Sequence, residues 1–152
     1  MIKNKQFKKA LLFAVLIVGV ISVFDIIAAH SGVFGSYEDY SNGIFSGDWW
    51  PVFFKMNLIL ISVLPIIYYF FVRKDLSETI AIFLVSINMW FSGLADILYF
   101  WIQGQAVPTM LGHLNGHLII SRVGSLIGQT DVTGTVLYIS VILGFVTSYL
   151  SI

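Results

Sequence analysis

The chain has 152 residues, a formal net charge of zero, 58% hydrophobic residues and only 11% charged residues. A soluble domain carries about 25% charge, so this chain has too few polar side chains to cover a water-facing surface, and lipid or a large apolar partner must cover it instead. Zero net charge leaves no electrostatic footprint for nucleic acid, and the absence of cysteine excludes disulfides, thiolate ligands and cysteine nucleophiles.

The first apolar run is Ala10–Ala29, preceded by Lys3, Lys5, Lys8 and Lys9. A signal-peptide core is about 7–15 residues long. This run is longer, and no small-x-small cleavage site follows it, so it reads as a retained span. The second run, Val52–Val72, contains Pro65, which is expected to kink it. The third is Thr79–Trp101 and the fourth Thr135–Ile152. Each is close to the roughly 20 residues that cross the hydrocarbon of a bilayer. The expected fold is all-α: one domain, an integral membrane bundle of four transmembrane helices at about 10–29, 52–72, 79–101 and 135–152.

Between spans three and four lies Val107–Gly128, which is moderately apolar but holds His113, His117, Arg122 and four glycines. It is expected to be a re-entrant or interfacial helix with a loop; the alternative is a fifth span, which would move the C-terminus to the other side. Span four carries Ser140, Gly144 and Ser148 at four-residue spacing. Small residues at that spacing let membrane helices approach closely, for packing within the chain or, as the alternative, for a homo-oligomer through span four.

The four N-terminal lysines, Arg73 and Lys74 fall on one side of the four-span arrangement. The positive-inside rule then puts the N-terminus, the 73–78 loop and the C-terminus in the cytoplasm of a cell-membrane protein. Trp49, Trp50, Tyr99, Phe100 and Trp101 mark the outer span ends, and Tyr68 and Tyr69 the inner end of span two. Asp75, Ser77 and Glu78 are expected to start and cap the third span. Glu38, Asp39 and Asp48 read as a solvated acidic loop, and Asn42–Gly43 as a turn.

Polar residues inside spans are functional candidates by default, because an unpaired charge in lipid is costly. Asp25 and Asp96 are predicted at matching depth, roughly 6–8 Å below the outer boundary at 1.5 Å per residue. Asn88, Ser92 and Asp96 recur at intervals of four, which on a continuous helix gives one polar face. Asn57 and His30 fall near the same outer level. His113 and His117, four apart, would share a helical face and suit two ligands of one divalent metal such as zinc. Leu114 follows the first of them, so the zinc-protease HExxH pattern is absent.

These residues define one functional expectation: a small membrane enzyme, a metal-dependent hydrolase of a lipid-like substrate near the extracytoplasmic face. His113, His117 and His30, with Asp25 or Asp96, would hold the metal. A metal-bound water would attack, and the remaining carboxylate would be the general base. Asn57 or Arg122 would stabilise developing negative charge. The structural alternatives are ordinary. Asp96 would bond Asn57 or a hydroxyl, Asp25 would pair with Lys55 or Arg122, each histidine would bond a loop carbonyl or cap a helix, and Arg122 would meet lipid headgroups. The rival functions are a transporter or channel subunit and an accessory subunit of a membrane complex. Ionisable residues gathered toward one side argue against conduction. Membrane lipids are the expected partners.

Overall fold

A computed structural model describes residues 2–30 and 49–152, so the acidic loop with Glu38, Asp39 and Asp48 and the Asn42–Gly43 turn lie outside the described residues. The described residues form helices α1 (Ile2–His30), α2 (Trp49–Phe71), α3 (Leu76–Phe91), α4 (Leu94–Ile102), α5 (Leu118–Leu126) and α6 (Gly134–Ser151), with a single 3₁₀ turn at Gly112–Leu114. An isolated bridge pairs Met110 with Thr133. By length and composition α1, α2 and α6 can each cross a membrane, and the α3–α4 pair taken together raises the candidates to four.

Packing follows helical stripes. On α1 the buried residues are Ala10, Ala14, Ile17, Val18, Ile21 and Ser22, a spacing of three and four that places them on one face. Asp25 continues that stripe by one more step. Alanines toward its N-terminal half let α1 lie close along α3, its most extensively contacted neighbour. On α2 the stripe is Asn57, Ile61, Pro65 and Tyr68, all buried. It begins and ends on a polar residue. Helix α3 is central. It packs on α1, α2 and α6, and accordingly buries residues from two faces, including Ile82, Val85, Ser86 and Met89.

The predicted third span is not one straight helix. The chain breaks after Ser92, and α4 leaves α3 at an angle of 74°. Gly93 makes the break, with φ of +96°, a left-handed conformation that costs a residue with a β-carbon. A β-carbon there would also lie 2.3 Å from Leu137 Cδ1 and 3.0 Å from Ile120 Cδ1. The break removes the single polar face expected for Asn88, Ser92 and Asp96. Asn88 Nδ2 now donates to the Gly144 carbonyl and to the hydroxyls of Thr147 and Ser148, all on α6. Asp96 instead falls in the first turn of α4.

The Ser140–Gly144–Ser148 seam is buried, and its centre packs within the chain. A β-carbon on Gly144 would come within 2.6 Å of Ser92 Cβ and Oγ, so the glycine is what lets α6 close onto α3.

The 107–128 segment contains no long helix. Helix α5 has nine residues and at 1.5 Å per residue reaches about half of a roughly 30 Å hydrocarbon layer. Asn115 fixes the loop before it, accepting from the Val132 N–H at 2.7 Å and donating to Asp131 at 3.0 Å. The Leu111 N–H donates to the Val132 carbonyl at 2.8 Å.

A buried polar knot closes the other end of the bundle. Glu78 is 5% exposed. Its carboxylate pairs with Lys9 of α1 and accepts from the Tyr68 hydroxyl of α2 at 2.6 Å, with Arg73 at 3.7 Å. The expected helix start also forms: Asp75 Oδ1 accepts from the Glu78 N–H at 3.1 Å. Tyr68, expected to anchor in the interface, is buried in this knot instead.

Two outcomes test this architecture. Gly93→Ala should cost roughly 2–5 kcal/mol, from a left-handed backbone (about 1–2 kcal/mol) plus forced overpacking (about 1–3 kcal/mol), read as a lowered thermal midpoint in detergent. Glu78→Ala leaves the buried Tyr68 hydroxyl without its acceptor and should cost about 1–3 kcal/mol, whereas the double variant with Tyr68→Phe should recover part of that loss.

Candidate functional site

Four elements bring polar side chains together at the end of the bundle opposite the Glu78 knot. Asp25 comes from the last two turns of α1, Asn57 from α2, Asp96 from the first turn of α4 and His113 from the 3₁₀ turn. Asp96 is held there for physical reasons. The first turn of a helix presents unpaired N–H groups and the positive end of its dipole, which favours a carboxylate. Ser22 ties this turn to α1, donating to the Ala95 carbonyl at 3.1 Å.

His113 Nε2 lies 3.7 Å from Asp96 Oδ1, with both side chains partly buried, at 15% and 24% exposure. That distance is longer than a hydrogen bond, and it is within the loose geometry that acid–base pairs show before a substrate tightens them. Asp25 sits close enough to Asp96 for the two carboxyls to repel, and the Asn57 amide lies beside Asp25. Even so, Asp25 Oδ1 and Asn57 Nδ2 are buried without a hydrogen-bond partner among the described residues. Buried polar atoms are nearly always paired. The Asn57 amide is directed at the Asp25 carboxyl, so each is a partner within reach of the other, and the pair is the part of this cluster that is not closed by a formed hydrogen bond.

His117 does not join His113 on a helical face. The two lie in different elements, because the chain turns between them at Asn115 and Gly116. His117 is the N-cap of α5, and its Nδ1 accepts from the Ile120 N–H at 3.4 Å. That bond requires a lone pair on Nδ1, so the ring hydrogen sits on Nε2. Burial lowers the His117 pKa, against the opposing pull of the Asp96 charge. A neutral cap follows.

Among the described residues the expected metal site is not assembled. His30 lies at the exposed end of α1, with Nδ1 bonded to the Ile26 carbonyl at 2.8 Å. Among the described residues no group of three or more His, Cys, Asp or Glu side chains is placed to hold a metal ion. Arg122 is exposed on α5. Neither Arg122 nor Lys55 makes a salt bridge with Asp25 or Asp96 among the described residues. Asp25, Asn57, Asp96 and His113 are thus brought together, and His30, His117 and Arg122 are not part of that contact.

The Lys9–Glu78–Tyr68 knot was not foreseen from the sequence. One signal pointed to it: Tyr68 follows Asn57, Ile61 and Pro65 on the same face of α2, so it had to be buried with them. Comparison with protein-family models, with curated proteins and with solved structures gives no match.

The His117 cap predicts a pH dependence. Its folded pKa lies below the ordinary value of 6.5, so its contribution to stability is present above that value and is lost as pH falls toward the folded pKa. Thermal midpoints of the wild type should drop below pH 6.5 relative to His117→Asn. Asparagine caps without titrating, whereas His117→Ala should cost about 1 kcal/mol at neutral pH.

Proposed function

We propose that this chain is an integral membrane protein of four spans, α1, α2, the broken α3–α4 pair and α6, with its N-terminus in the cytoplasm. We propose further that it is an enzyme performing acid–base chemistry on a lipid-like substrate at the extracytoplasmic boundary. The contact that carries the reading is Asp96–His113, beside the open Asp25–Asn57 pair. Lys9 and Arg73 both meet Glu78, which gathers the basic N-terminus and the basic turn at one end and supports the cytoplasmic assignment of that end.

In this reading His113 is the general base. It takes a proton from water as the water oxygen attacks an ester, amide or phosphoester, and returns the proton to the leaving group. Asp96 orients the imidazole and stabilises its protonated form, the part a carboxylate plays in hydrolytic triads. Asn57 and Asp25 hold a neighbouring polar group of the substrate, with the Asn57 N–H as donor and the Asp25 oxygen as acceptor. A catalytic zinc takes three protein ligands as a rule. Among the described residues the donors in contact are His113 and Asp96, which supports proton transfer by the pair itself.

The rival is transport, and the packing weighs against it. Ile21, Ile61, Ile82, Val85 and Met89 are essentially fully buried. In register they stand between the outer polar layer and the Glu78 knot. A carrier or pore needs a polar path through that level.

Incubation of the purified protein with a total membrane lipid extract, followed by mass spectrometry, tests the reading. The wild type should consume one lipid class, and Asp96→Asn or His113→Ala should slow this by about 100-fold or more, the usual scale of general acid–base catalysis. An extract unchanged by the wild type, or full turnover in both variants, would overturn it.

A further inference from the structure

A groove of about 360 Å³ lies between α3 and α6, at the lower end of the roughly 300–1,000 Å³ of ligand pockets. Its walls are Leu84, Ile87, Phe91, Ile119 and Ile152. Leu84 and Ile119 stand on its rim, 42% and 39% exposed. Phe91 connects the groove to the outer polar layer: its ring lies 6.3 Å from that of His117, and His117 in turn feels the charge of Asp96.

The polar residues in the lining are already engaged. The Asn88 amide nitrogen donates to Gly144, Thr147 and Ser148. The Thr147 hydroxyl donates to the carbonyls of Leu143 and Gly144, and the Ser151 hydroxyl to that of Thr147. A polar ligand would lose its hydration here and meet donors and acceptors that are for the most part already engaged. A hydrocarbon chain loses nothing of that kind and gains dispersion contacts with the walls.

We propose that the groove seats one hydrocarbon chain of a membrane lipid and, resting on the acid–base reading above, that this lipid is the substrate whose head meets Asp96 and His113. The occupant is a chain rather than a protein segment for two reasons. The groove opens among the exposed apolar side chains of helices read as membrane-spanning, so hydrocarbon already surrounds it. Its Phe91 end also lies toward the layer proposed to receive the lipid head, through the ring contact with His117.

The test uses the full chain in phosphatidylcholine nanodiscs doped with a phospholipid carrying a diazirine midway along one acyl chain. After irradiation, labelled peptides are mapped by mass spectrometry. Labelling should concentrate on residues 84–91 and 147–152, several-fold above the lipid-facing residues Ile59, Ile66 and Phe70 of α2. Ile87→Trp, which fills the groove, should abolish that excess and leave the α2 signal unchanged. Leu84→Phe provides a milder filling if the first variant does not fold. Asp96→Asn should lose turnover and keep the labelling pattern. Labelling spread evenly over α2 and the groove, or insensitive to both filling variants, overturns the groove assignment even if lipid turnover is found. So do cross-links joining the groove to a second copy of the chain. Concentrated labelling in a protein that turns over no lipid keeps the chain site and removes only the substrate role.

Discussion

The break between Ser92 and Gly93 decides where the remaining polar residues point. A continuous helix through this region would carry Asp96 on the same face as Asn88 and aim both at one neighbour. The left-handed Gly93, closed in by Leu137 and Ile120, sends them apart. Asn88 turns to α6 and is consumed by three acceptors there. Asp96 starts a new helix, whose positive end favours its charge, and turns toward His113. Helix breaks are tolerated at membrane depth only where the freed backbone is covered by protein. This one is bridged by the Ser92 and Gly93 N–H groups, which bond the Asn88 and Trp90 carbonyls, and it is covered by α6, where Gly144 admits Ser92.

The two ends of the bundle treat buried carboxylates in opposite ways. Glu78 is fully engaged: both oxygens meet a cation, and one also accepts the Tyr68 hydroxyl. Such a closed network fixes three helices relative to one another and leaves nothing to bind a ligand. At the other end Asp25 and Asn57 each keep an atom open, and the neighbouring Asp96 contacts the His113 imidazole. Open atoms on an acidic and an amide side chain set this layer apart from the closed Glu78 network, and that difference marks it as the candidate site.

Much of the helical layout was legible. Runs of apolar residues long enough to cross a bilayer become α1, α2 and α6. The three-and-four spacing that ends on Asp25 and Asn57 places both on packed faces. The break was not legible, because Ser92–Gly93 inside an apolar run is compatible with a continuous helix. What makes it a break is contact with Leu137 and Ile120, far away in sequence. The histidine register failed for a related reason. Four-residue spacing defines a face only when the segment between is helical, and Asn115 pulls that segment into a turn by bonding Val132 and Asp131. Glu78 fitted a helix start and does take part in one. Its carboxylate points away from the cap, toward a lysine on another helix that local sequence could not connect to it.

The same logic separates the two loop histidines. At His117 burial disfavours the charged ring more strongly than Asp96 favours it, and Nδ1 is engaged by the Ile120 N–H. A ring in that position holds α5 in place and has no reason to change protonation at neutral pH. His113 differs in its contacts. It touches Asp96 directly and retains 15% side-chain exposure, so it combines contact with an orienting carboxylate and access for a proton donor. A general base needs both at once. In the proposed reading His113 is the imidazole that moves a proton, and the 74° turn after α3 is what brings the Asp96 carboxylate to it.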